Sequence, residues 1–257
     1  IQFAYSQGQV ASISDLVASE NVDLSQWYEG CLNGITVEGN LLGLPFKAHP
    51  GFAVTYFNQT AIEAEGLPIP ASGWTQEEHL ELAVALTKTE GDRITQYGFL
   101  PGVGSWWKTF VTLNRAFGGE MLSEDGATFQ IMEDAGRQAM QYIYDVFHTH
   151  KVGPLPDQIV GTVNEMWISG VLGTVGSGTF LSVTDAAIGD TFDWMVAPNP
   201  VGPAGVGGAD YEVDAQCVTT TSANPVEAFK WVQYLCNQES GVQLGLIGGT
   251  VGGRPDV

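Results

Sequence analysis

The sequence predicts an α/β fold, and three observations carry that prediction. Residues 52–57, 171–175 and 192–197 are apolar runs of strand length, with β-branched and aromatic residues prominent. Helical stretches with explicit start signals lie among them. Thr75-Gln76-Glu77-Glu78 is a capping box, in which the threonine hydroxyl accepts from the third helical N–H and the glutamate reaches back. The 257 residues are 44% hydrophobic and only 15% charged, enough for one large domain or two lobes with a substantial core.

Taken in order, residues 1–3 read as a strand end and Tyr5-Ser6-Gln7-Gly8-Gln9 as a polar loop. Val10, Ile13, Leu16 and Val17 have a helical rhythm, and residues 23–28 read as a short capped helix before the Gly39-Asn40 turn. The stretch 42–58 is the centre of the chain. Pro45 and Pro50 each remove a backbone donor and Gly51 frees the backbone, so its first half is predicted irregular. Its second half, 52–57, is predicted to be a buried strand. Lys47 and His49 are thereby set at the end of a core strand, where open α/β folds keep ligands; a surface loop is the other reading.

Beyond residue 58, a short helix at 61–64 ends at Gly66, and Leu67-Pro68-Ile69-Pro70 is extended. The helix from Thr75 to about Lys88 turns Leu82, Ala83 and Leu86 inward and His79 to solvent. Residues 97–100 are strand-like. The Gly-rich 101–105 leads to Trp106 and Trp107 in the first turn of a helix reaching Ala116, where large aromatics act as core plugs or as a ligand platform, one buried and one exposed. Residues 133–147 form a long helix with Ala139, Met140, Ile143, Val146 and Phe147 at core spacing. The strand 171–175 runs into Gly176-Ser177-Gly178-Thr179-Phe180, whose glycines admit close approach of a backbone or ligand. Residues 216–221 read as a strand. Asn224-Pro225-Val226-Glu227 starts a final helix with Ala228, Trp231, Val232 and Leu235 on its core face.

The net charge of −20, from 29 acidic and 9 basic side chains, repels phosphate backbones and argues against nucleic acid as a partner. No run of about 18 apolar residues, the length that spans a bilayer, occurs in the sequence. No signal peptide is visible, and the abrupt ends at Ile1 and Val257 are expected to be cuts in a longer chain. The three cysteines lack zinc-site spacing; a Cys217–Cys236 disulfide and buried free thiols are both open.

Catalytic signals are poor. The glycine-rich segments fit neither a dinucleotide nor a phosphate loop, and Gly176-Ser177-Gly178 is not a nucleophile elbow. Histidines 49, 79, 148 and 150 show no metal spacing, and no metal or cofactor is expected. Carboxylates distant in the chain leave a glycosidase-like pair open. Aromatic and small polar residues do recur at predicted strand ends: Tyr5, Lys47, His49, Trp106, Trp107, Thr179, Phe180 and Tyr211. Aromatic faces stack on sugar rings or cage quaternary amines while polar neighbours orient the ligand.

The order of motifs resembles the extracellular solute-binding proteins of ABC importers, of the maltose/maltodextrin-binding class. The resemblance rests on Gly39-Asn40-Leu41-Leu42-Gly43-Leu44-Pro45-Phe46, Tyr56-Phe57-Asn58-Gln59, Gly66-Leu67-Pro68-Ile69-Pro70 before Trp74-Thr75-Gln76-Glu77-Glu78, Trp106-Trp107 with Gly118-Gly119-Glu120-Met121-Leu122, Asp193-Trp194-Met195-Val196-Ala197-Pro198, and Asn224-Pro225-Val226-Glu227-Ala228-Phe229-Lys230-Trp231. It implies a two-lobed periplasmic-binding-protein-like fold, incomplete at both ends. Residues 1–52 would belong to the first lobe, 53–209 to the second, and 210–257 would return to the first.

It further implies a monomeric, non-enzymatic receptor, periplasmic or extracellular and in some members a lipoprotein. Such a receptor holds a carbohydrate in its cleft and delivers it to ABC permease subunits. Family ligand positions fall on Tyr5, Ser6 and Gln7, on Lys47 or His49 (where the family often has an acid), on Trp106, Trp107 and Lys108, on Phe180, and on Arg254. The same fold binding a cationic amine or other small solute is the alternative, and a glycoside hydrolase the third reading.

Overall fold

The computed structural model describes residues 1–101, 106–178, 184–248 and 251–257. The chain opens with short helices α1 (Gln2–Ser6), α2 (Ser14–Ser19) and α3 (Glu29–Gly34), then strands β1 (Thr36–Val37), β2 (Asn40–Leu41) and β3 (Leu44–Pro50). It continues through β4 (Val54–Asn58), α4 (Gln59–Ala64), α5 (Gln76–Leu86), β5 (Lys88–Glu90), β6 (Arg93–Leu100), α6 (Trp106–Ala116) and α7 (Asp134–Tyr144). Then come α8 (Val163–Ile168), β7 (Leu172–Ser177), α9 (Asp185–Ile188), β8 (Trp194–Pro198), β9 (Tyr211–Gln216), α10 (Pro225–Leu235) and α11 (Gln238–Gly248). The mixed α/β composition agrees with the sequence. The chain divides into two compact units, residues 1–49 with 211–257, and residues 50–210.

In the first unit, β3 pairs with β9 in a two-stranded sheet. Leu44, Phe46, Val213 and Ala215 turn one face of it onto a core with Ile13, Trp27, Val218, Phe229 and Val232. The expectation that the prolines keep 44–50 irregular is wrong. Pro45 sits where its carbonyl accepts from the Trp27 indole N–H (3.1 Å), and Ala48 N–H, which does face a partner, donates to Val251 O at 3.1 Å. Proline is tolerated where the ladder does not need its missing donor.

Residues 1–3 are likewise not a strand. Phe3 is 77% exposed, and Tyr5 N–H closes a helical turn onto Ile1 O. The strand expected at 216–221 lies earlier, at β9, where Val213 and Ala215 alternate with Glu212 and Asp214. Trp231 is 59% exposed and stacks on Tyr234, because Phe229, Val232 and Cys236 take the core stripe of α10. All three cysteines are free thiols, and burial pushes the Cys236 thiol up to about 12.

The second unit holds a sheet in the order β5-β6-β7-β4-β8, with β4 antiparallel to both β7 and β8 and β6 parallel to β7. Successive residues of β4 face opposite layers. Tyr56 packs with Met166, Trp167 and Ile188, whereas Phe57 packs with Ile62, Trp74, Leu82 and Leu86. Helices thus cover both faces of the sheet. The capping box at Thr75 is present in full, and a second one at Thr162 and Glu165 starts α8.

His79 is not solvated but 1% exposed, wedged between Trp74 and Phe99 rings. Met140, placed in the core by spacing, is 53% exposed, while Ala139, Val146 and Phe147 are buried. The unit's two chain ends are pinned together. Gly51 N–H donates to Asp210 O (2.9 Å), Phe52 N–H to the Asp210 carboxylate, and Asn199 Nδ2 to both Phe52 O (2.7 Å) and Gly208 O (3.0 Å).

Candidate functional site

In the first unit the polar face of the β3–β9 sheet carries the candidates. Strand alternation puts Lys47 and His49 on one side of β3, opposite Leu44 and Phe46. Glu212 and Asp214 occupy the matching side of β9. Lys47 Nζ lies 2.8 Å from the Asp214 carboxylate and His49 Nε2 lies 3.5 Å from that of Glu212. The result is a half-exposed patch in which basic and acidic side chains alternate, able to accept from and donate to hydroxyls. Neither Glu212 nor Asp214 is among the residues nominated from the sequence; their period-2 alternation with Val213 and Ala215 is the sequence signal for this strand.

The other candidates of this unit lie elsewhere. Tyr211 shares the side of β9 taken by Val213 and Ala215 but, at the strand's start, is 52% exposed, and its hydroxyl meets the buried Cys31 thiol. Burial, ahead of that thiol, holds the phenol above its ordinary range. Tyr5 is half-buried in α1, while Ser6 is exposed and its hydroxyl donates to Phe3 O at 2.8 Å. Arg254 is 8% exposed and held in place by a bidentate pair with Asp256 (2.9 and 2.8 Å), a bond to Gln26 Oε1 (2.8 Å), and the Trp27 ring 5.1 Å from its guanidinium. The hydrogen bonds from the Arg254 guanidinium also hold the Asp256 carboxyl below its usual range.

In the second unit, β6 and β7 run parallel, so Leu100 and Ser177 end at the same edge of the sheet, the edge where such folds bind ligands. α6 begins at Trp106, and Lys108 in its first turn is half-buried. The side chains of Trp106 and Trp107, and all of Thr179 and Phe180, lie outside the described residues. Ser177 Oγ, fully buried at the end of β7, has no hydrogen-bond partner among the described residues. Two surface hollows of this unit, of about 740 and 550 Å³, are lined around Arg115, Gly118 and Asn199 and around Ile69, Trp74 and Glu81. Neither is lined by a residue the sequence nominated. Among the described residues no group of acidic, histidine or cysteine side chains could hold a metal ion, and no helix is long and apolar enough to cross a membrane.

The family model for bacterial extracellular solute-binding proteins matches residues 1–241. No curated protein matches the chain. Among solved structures, an ABC substrate-binding protein from Listeria monocytogenes in complex with cycloalternan superposes with a TM-score of 0.86 at 17% identity, covering 98% of this chain and 63% of that one. A maltose-bound protein of T. maritima gives 0.81 at 19% identity, covering 98% and 64%. A Mycobacterium tuberculosis protein in complex with glycerophosphocholine gives 0.81 at 20% identity, with the same coverage. The chain therefore spans less than two thirds of the length of these proteins, and at such identities the likeness is one of fold.

Proposed function

The chain belongs to the bacterial extracellular solute-binding protein family, and from that premise we propose that it is a non-enzymatic receptor that captures a carbohydrate, mono- or oligosaccharide, for an ABC importer. The family match along residues 1–241 carries the reading. Support comes from the two sugar-bound structures of the same fold and from the polar patch on β3–β9. In this reading residues 1–52 and 210–257 contribute to one lobe and 53–209 to the other. Lys47, His49 and the first turn of α6, with Trp106, Trp107 and Lys108, contact the ligand, joined by Tyr5, Ser6, Thr179 and Phe180, while Tyr211 and Arg254, engaged by Cys31 and by Asp256 and Gln26, shape the first unit behind them. The aromatic rings stack on the apolar faces of the sugar. Side-chain dipoles and charges take its hydroxyls in place of water, and delivery is to permease subunits at the outer face of the membrane.

A second reading, a ligand bearing a quaternary amine, is favoured by one observation: the fold also occurs with glycerophosphocholine bound. The two separate by salt. Calorimetric titration with neutral oligosaccharides should give saturable heat that is insensitive to ionic strength, whereas a cationic ligand should lose affinity as salt rises. Absence of heat with every sugar tested, alongside salt-sensitive binding of a choline compound, overturns the carbohydrate reading.

A further inference from the structure

Beneath the ligand-facing edge of the second unit's sheet, a small chamber of about 40 Å³ is lined by six polar side chains: Thr55, Gln76, His79, Thr109, Thr112 and Asn199. We infer that this chamber is an internal water site, holding one to three ordered waters behind the turn that carries Trp106 and Trp107. Most of the donors on its walls are already engaged. Thr55 donates to Asn199 Oδ1 (3.3 Å), Thr109 to Pro101 O (3.1 Å) and Thr112 to Thr109 O (2.9 Å), while both Asn199 N–H groups are spent on Phe52 and Gly208 carbonyls. Thr174 Oγ1 gives its one hydrogen to Gly98 O (2.9 Å), so at its 3.0 Å contact with His79 Nε2 it must accept. That fixes the Nε2–H tautomer and leaves Nδ1 a lone-pair acceptor on a ring lining the chamber.

Gln76 Nε2 gives one N–H to Pro200 O (3.3 Å), so apart from its second N–H what remains on the walls is a surplus of acceptors. An anion would find almost no donors. A cation would find no carboxylate among the described lining residues, and a buried charge without one is strongly disfavoured. Water supplies two donors per molecule, and a space of about 40 Å³ exceeds the roughly 10–15 Å³ that one water needs. Thr109 follows Lys108 directly in α6, and its hydroxyl holds Pro101, so the waters support the start of that helix from behind.

A high-resolution crystal structure with a parallel rubidium soak, together with ¹⁵N-histidine NMR of the intact protein, tests this. The expected result is at least one water within hydrogen-bond distance of His79 Nδ1 or a lining hydroxyl, no anomalous peak, and a proton on Nε2 alone. Thr112→Val should lose water density from the chamber while the rest of the fold is retained. A chamber without density, a rubidium peak, or a proton on Nδ1 each overturns the inference in the wild-type protein, whether or not the variant folds.

Discussion

His79 Nε2 lies 3.0 Å from Thr174 Oγ1, which in turn donates to Gly98 O at 2.9 Å, joining helix α5 to two neighbouring strands through one buried imidazole. Burial lowers the pKa of that imidazole from 6.5 to about 3. Between those values the unfolded chain binds a proton that the folded one refuses. The contribution to stability is therefore complete above about 6.5 and is lost as pH falls towards 3, with a limiting slope of about 1.4 kcal/mol per pH unit. Urea denaturation at pH 7 and pH 5 should show a larger loss for wild type than for His79→Gln. Equal losses would mean that His79 is solvated in the folded state.

Gly98 and Gly30 should respond oppositely to alanine. A Cβ at Gly98 would lie 1.7 Å from Ala83 O, where backbone must move, so Gly98→Ala should cost several kcal/mol or abolish folding. Gly30 sits in α3 with nothing within 4 Å of the added methyl, so Gly30→Ala should raise stability by up to about 1 kcal/mol. Thermal melts of the pair check both signs.

The two capping boxes are local devices in separate helices. Thr75→Ala and Thr162→Ala should each cost about 1 kcal/mol, within 0.5–2, and should add in the double variant because the sites share no partner. A double variant far from that sum would show the helices to be coupled.

Lys47 and Asp214 have side chains 31% and 55% exposed, and pairs so open to solvent contribute at most about 1 kcal/mol. Lys47→Met should leave the denaturation midpoint nearly unchanged while weakening sugar binding measurably. Lost stability with intact binding would make the pair structural.

What the sequence made legible was local. The Thr75 capping box and the apolar core of β4 depend on residues within a few positions of each other, and both are present. What it hid depends on distant partners. His79 lies in a run of glutamates and looks solvated, yet Thr174 and Phe99 enclose it from the sheet. Pro45 looks like a breaker, yet its lone carbonyl is what Trp27 requires. In the candidate site, Lys47 and His49 were visible as an oddity before a core strand, whereas Glu212 and Asp214 become their partners only through a pairing some 165 residues apart in the chain. Arg254 stands at a family ligand position by resemblance, and its enclosure by Asp256, Gln26 and Trp27 depends on partners as far away as residue 26.

If flat rings and a few dipoles hold a neutral sugar, isothermal titration of the intact protein with a panel of mono- and oligosaccharides, repeated with Trp106→Ala, will show it. Saturable binding of at least one sugar is expected, unaltered between low and high salt and weakened at least tenfold by the substitution. Silence across the panel, or a sugar bound equally well without Trp106, would contradict it.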